Sequence, residues 1–204
     1  MKGNKMKKLT LLIILLCVFS IMGCSPTKLM SPEASNAPIE LDENTSRIIF
    51  YRSSALGSAI QAPIAEYVDG DVKFVSILSW HKKSRFITTP GKHIFVVGGE
   101  SGSIIKTDIA PGKNYYIKVS PYFGWWKARF KMTAIRAKEL ETEDIKNDIM
   151  KCELVTTNDM TDNWFQSNKN SMKAKAAVGL KKFEKEKDKS PFILNKEDGI
   201  DTVY

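Results

Sequence analysis

The sequence is poor in the residues that build most recognisable sites. Its 204 residues include 3 Cys and 2 His, too few for a disulfide scaffold or a cysteine-histidine metal cluster. Neither His81 nor His93 has a His or Glu four residues away, the spacing of a helical zinc pair, so no metal is assigned. The Gly-rich stretch Gly98-Gly-Glu-Ser-Gly-Ser103 lacks the Gly-Lys-Ser/Thr ending of a phosphate loop and lies between strand-like runs, so it reads as a flexible hairpin. Ser101 stands outside any Gly-x-Ser-x-Gly elbow. The sequence therefore offers no convergent catalytic set and calls for no cofactor. After residue 24 no apolar run approaches the length of a membrane span.

Acidic residues are also scarce, with 23 Asp and Glu against 31 Lys and Arg and a formal charge of +8. Such a surplus invites a nucleic-acid reading, but its distribution argues against one. Lys2, Lys5, Lys7 and Lys8 carry half of it. Residues 165–189 hold 8 Lys against Glu184, Glu186 and Asp188, and the remainder is near neutral. Lysines and aromatics are not interleaved as in a stacking groove for single strands, so no nucleic acid is expected.

The basic start is followed by an apolar run, Leu9 to Met22, broken only by Thr10 and Ser20. Fourteen helical residues span about 21 Å, short of a hydrocarbon core of about 30 Å. A basic start and a short apolar run are the pattern of an export signal. Its end, Ile21-Met22-Gly23-Cys24, resembles the bacterial lipobox. That resemblance implies a signal peptide over 1–23, lipidation of Cys24 and a membrane anchor. Ser25, where Asp would imply retention at the inner membrane, implies the outer membrane facing the periplasm. Cys17 then leaves with the signal and Cys24 is acylated. Cys152 remains alone, expected as a buried inert thiol.

Residues 24–45, with three prolines and many small polar residues, read as a flexible tether. From 46 to 136 the texture is β. Seven or eight short runs rich in Ile, Val, Phe and Tyr are separated by turn signals at Asp69-Gly70, Pro90-Gly91 and Pro111-Gly112. Pro63 marks an edge or a bulge. Leu140, Ile145 and Ile149 bring helical spacing, and a second helix with Asp162 as cap runs to about Lys189. The expected fold is mainly β: a small antiparallel β-sandwich or barrel-like domain followed by two C-terminal helices. The helical extension covers 137–190, and 191–204 reads as a loose terminus. The Lys-rich helix is expected to pack its stripe of Phe165, Met172, Ala176, Leu180 and Phe183 on the β domain; contact of its lysines with lipid is the alternative.

The strand ending Tyr51-Arg52, the run Tyr67-Val-Asp-Gly70, the turn Pro90-Gly-Lys-His93 and the pair Pro111-Gly-Lys113 with Tyr115-Tyr116 occur in that order. This order, beside a lipobox, resembles the bacterial lipoprotein family called domain of unknown function 2846, over about residues 46–136. The resemblance implies a small periplasmic β domain and brings no reaction or catalytic residue.

The densest aromatic patch is Tyr122, Phe123, Trp125 and Trp126. It offers a partner-binding surface, with core filling as the competing role. The expected function is that of a non-enzymatic, lipid-anchored envelope protein binding a protein or envelope component. The alternatives are an envelope hydrolase acting on glycan or peptide through His81 or His93, and a structural subunit of an envelope assembly.

Overall fold

A computed structural model describes residues 29–34, 40–122 and 129–204. Among these residues the chain is mainly β, with eleven strands in two sheets and two α-helices. The strands are β1 (Met30–Pro32), β2 (Ser46–Arg52), β3 (Ala62–Val68), β4 (Asp71–Leu78), β5 (Lys82–Thr88), β6 (Gly91–Val97), β7 (Ser103–Ile109), β8 (Asn114–Tyr122), β9 (Arg129–Ile135), β10 (Glu153–Thr157) and β11 (Ile193–Leu194). The helices are α1 (Glu143–Met150) and α2 (Asp159–Lys185). One sheet has the order β1-β10-β5-β2-β8-β9, the other β11-β7-β6-β3-β4.

Local turn chemistry explains the strand boundaries. Asp69 and Gly70 both take positive φ, 50° and 81°, and join Val68 to Asp71 in a tight hairpin. Gly91 and Gly112 take φ of 122° and 68° after their prolines or beside them, which a Cβ would oppose. Pro63 lies in β3, which sits between β4 and β6 and is not an edge; the register shifts at Ile64/Ala65 as in a bulge.

The sheets are mixed, which corrects the antiparallel expectation. β2 pairs with β8, β10 with β5 and β11 with β7 in parallel. The cause lies in the path. From β2 to β9 each strand reverses the one before, while the chain moves between sheets. Within that run, strands of equal parity are parallel where a sheet places them side by side, as β2 and β8 are; β10 and β11 follow later in the chain and lie outside this alternation. One core draws Ile48, Phe50, Tyr115 and Ile117 from the first sheet and Ile64, Phe95, Val97 and Ile105 from the second, all fully buried. Burial of such side chains contributes about 1.5–3 kcal/mol each.

The register also assigns an end to every connection. The connections 53–61, 79–81 and 98–102 leave from one end of the sheets, here the upper end, where β8 ends and β9 begins. The turns at 69–70, 89–90 and 110–113 lie at the other, with the entry to β1.

Three segments differ from the sequence reading. Within the expected tether, Met30–Pro32 forms a strand on β10, with Leu29 buried and its carbonyl accepting a bond of 2.5 Å from the Thr161 hydroxyl. The helical spacing beyond Met150 gives way to β10, whose Glu153 and Leu154 pair with Lys82 and Lys83. The expected loose terminus is tied down: Leu194 is fully buried, Asn114 exchanges both backbone bonds with Ile200, and Arg136 pairs with Asp198 at 2.6 Å.

Helix α2 starts at Asn158, whose side chain caps the first turn while Thr161 bonds back to it. Its buried stripe of Phe165, Met172, Ala176, Gly179 and Phe183 packs on the second sheet, as the packed alternative required. Leu180 is only partly buried there.

Candidate functional site

Tyr122, the last residue of β8, is 38% exposed and opens onto a cleft of about 350 Å³ at the upper end. Phe123, Trp125 and Trp126, expected to form a patch with it, lie outside the described residues, as does Cys24. The cleft has an apolar floor from Ile104 on β7, Phe183 on α2 and Phe192 beyond it. Its rim carries Lys131 from β9 and Lys182 from α2, with Glu186 as the acidic lining residue. Lys182 donates to the Ser101 hydroxyl at 2.7 Å, and Lys106 lies 4.6 Å from the centre of the Phe183 ring. Arg129 grips Glu100 with two bonds, of 2.8 and 3.2 Å, and so fixes the start of β9 to the β6–β7 connection beside Tyr122. An aromatic lip, an apolar floor and two rim cations suit a ligand that combines an apolar or ring group with negative charge.

Helix α2 forms one wall of the cleft only because the opposing backbone carries no side chain. A Cβ on Gly102 would lie 1.9 Å from the Lys175 carbonyl oxygen, and one on Gly179 2.7 Å from Ile104 Cγ2. The connection read as a flexible hairpin joins β6 to β7 and is the seat of the helix.

The histidines do not converge. His81 sits in the turn before β5 at φ 55°, its ring 4.4 Å from that of Trp80. His93 lies on β6 in the other sheet, and both ring nitrogens are committed: Nδ1 to Glu66 at 2.6 Å and Nε2 to the Thr89 carbonyl at 2.8 Å. A nitrogen already bonded to a carbonyl has no lone pair for a general base.

Cys152 is buried, and its thiol donates to the Asp148 carbonyl at 3.2 Å. Burial, the largest cause, pushes the thiol up to about 11, away from thiolate chemistry. It lines a second cavity of about 560 Å³ with Lys83, Arg85 and Glu33, in which Arg85 and Glu33 already pair.

One feature at this end had no signal in the sequence beyond an Arg after a strand. Arg52 is fully buried and holds four backbone carbonyls, those of Leu56, Gly57, Ile60 and Leu78, while its guanidinium lies 5.0 Å from the Phe130 ring centre. Burial lowers its pKa to about 10, so it stays charged at neutral pH. It shapes the 53–61 connection and presents Leu56 and Ile60, with Trp80 nearby, to solvent at the upper end.

Among the described residues no three His, Cys, Asp or Glu side chains form a group able to hold a metal, and no helix is long and apolar enough to cross a membrane. Comparison with protein-family models, with curated proteins and with solved structures gives no match.

Proposed function

We propose that this chain is a lipid-anchored bacterial envelope protein that binds a protein or envelope component through the upper end of its β body and performs no catalysis. The cleft beneath Tyr122 carries the reading, since it joins an exposed aromatic residue to an apolar floor and two rim lysines. The aromatic run continues from Tyr122 in sequence through Phe123, Trp125 and Trp126. Charge complementarity with Lys131 and Lys182 makes the partner acidic where it meets the rim. In this reading the two sheets with their shared core form a sandwich of the domain 2846 kind. The anchor is Cys24, and Ser25 directs the protein to the outer membrane facing the periplasm. The commitment of both His93 nitrogens disfavours the hydrolase alternative.

Photo-crosslinking from a probe at position 103, on the cleft wall, tests the site in intact cells. An adduct lost in Tyr122→Ala with Trp125→Ala and Trp126→Ala is expected; the same adduct in both proteins would refute it. Radioactive palmitate incorporation separately tests the anchor, with label expected in the parent and absent in Cys24→Ala.

A further inference from the structure

The acyl site and the cationic helix are much closer than a long tether would leave them. Leu29 is buried, its carbonyl is held by Thr161 in the first turn of α2, and Ser31 accepts from the Asn158 cap. β1 then continues antiparallel to β10. Only residues 25–28 separate Cys24 from Leu29 at this clamp. Five residue steps reach about 18 Å at most, whatever path they take. The 21-residue stretch after Cys24 therefore does not set the distance; those five steps do.

The helix that begins at the clamp has a distinct outward face. With Phe165, Met172, Ala176, Gly179 and Phe183 turned to the sheet, Lys173, Ala174, Ala177, Val178, Lys181 and Lys185 are exposed. Between Asp162 and Glu184 the sequence has five lysines and no acidic residue; Glu184 itself is exposed on this face between Lys181 and Lys185 and offsets one of their charges. Lys169 is engaged with Asp71 at 2.7 Å, but Lys173, Lys181 and Lys185 project into solvent. A row of lysines beside small side chains can approach a flat, negatively charged surface without steric hindrance.

We propose that the outward face of α2 rests on the bilayer that holds the Cys24 acyl chains, with Lys173, Lys181 and Lys185 on anionic lipid head groups. The inference rests on lipidation of Cys24 for proximity and on charge for adhesion. An acyl anchor and a cationic patch together make a stable two-point attachment. The body then lies along the membrane, and the Tyr122 cleft at the upper end stays open to a partner from the aqueous side.

The test uses the lipidated protein in vesicles of phosphatidylcholine alone or with a third of phosphatidylglycerol. Amine acetylation at low salt, read by peptide mass, reports each lysine. At least a fivefold slower modification of Lys173, Lys181 and Lys185 in the anionic vesicles is expected, with exposed Lys92, near the start of β6, unchanged. The protection should vanish at 1 M salt, where the Debye length is about 3 Å. Equal rates in the two vesicles would overturn the proposal, as would protection that arises only on adding a soluble protein fraction. Failure of the protein to associate with either vesicle would instead refute lipidation. As a second arm, the chain made from residue 25 onward, without signal or acyl chains, should bind anionic vesicles through α2 alone. Its partition should weaken about a hundredfold in the Lys173→Gln, Lys181→Gln, Lys185→Gln variant, from about tenfold per 1.4 kcal/mol and about 1 kcal/mol per lysine. Retained binding in that variant would also overturn the proposal.

Discussion

Gly102→Ala is the sharpest test of how α2 is seated. The backbone at Gly102 does not adopt positive φ, so alanine meets no conformational obstacle there. In open space this exchange would stabilise the fold by about 0.4–1 kcal/mol by restricting the unfolded chain. The space is not open. The added carbon would stand 1.9 Å from the Lys175 carbonyl oxygen and 2.6 Å from its carbon, against an ordinary carbon contact of about 3.5–4.0 Å. The obstacle is helix backbone, so α2 must move by more than about 1 Å as a body. Overpacking costs about 1–3 kcal/mol when side chains can adjust, and a backbone obstacle puts this case at about 3. Complete undocking sets the ceiling, since exposing Phe165, Met172 and Phe183 costs roughly 5–9 kcal/mol. At about 2–4 °C per kcal/mol for a chain of this size, the midpoint of thermal unfolding should fall by about 6–12 °C. Gly179→Ala should cost less, because its obstacle at 2.7 Å is the Ile104 methyl, which can turn aside. Thermal scans of the two variants with Ser101→Ala as control decide the matter. A Gly102→Ala midpoint equal to or above the parent would refute the proposed seat.

Further outcomes follow from the buried polar groups. Arg52→Lys should destabilise by about 3 kcal/mol or more and raise amide exchange in 53–61, because one ammonium cannot serve four carbonyls in two directions. Cys152 should resist iodoacetamide at pH 8 in the folded protein and react fully in denaturant, since burial holds the thiol near 11. Burial likewise raises Tyr116 to about 12 and raises Tyr51, so the fold favours the neutral forms of all three groups. Their contribution is fully present below the unfolded value of about 9 for the thiol and is lost as pH rises through 11 and 12. The unfolding midpoint should therefore fall above pH 9, and Cys152→Ala should flatten the first part of that fall.

The sequence is legible where structure is local. Asp69-Gly70, Pro90-Gly91 and Pro111-Gly112 mark turns through their own backbone preferences, and the runs rich in Ile, Val, Phe and Tyr between them form strands. What a segment pairs with is not written in its neighbours. Met30–Pro32 looks like linker because its partner, Val155–Thr157, lies far along the chain and supplies the missing bonds. The same holds for β10, where polar Glu153, Thr156 and Thr157 hide a strand. Arg52 is invisible for another reason. Arginine sits at the surface in most settings, and only the return of 53–61 over it provides the carbonyls that allow burial. Gly98-Gly-Glu-Ser-Gly-Ser103 was readable as a turn, but its second use, as clearance for a helix some seventy residues later, depends on a contact no local pattern encodes.

Helix α2 links these observations, because one element supplies the Phe183 floor of the cleft, the lysine face and the hold on Leu29. The two proposed attachments must then respond differently to different damage. Neutralising Lys173, Lys181 and Lys185 removes charge from the outward face and leaves the seat at Gly102 untouched. It should abolish binding of the unacylated chain to anionic vesicles while the crosslink from position 103 persists. Gly102→Ala acts on the seat itself. It displaces Phe183 from the floor and tilts the lysines from their plane, so crosslink and protection should both decline under conditions where the β body stays folded. If Gly102→Ala weakened only one of the two, the helix would not be the shared support, and the cleft and the lysine face would have to be treated as independent features.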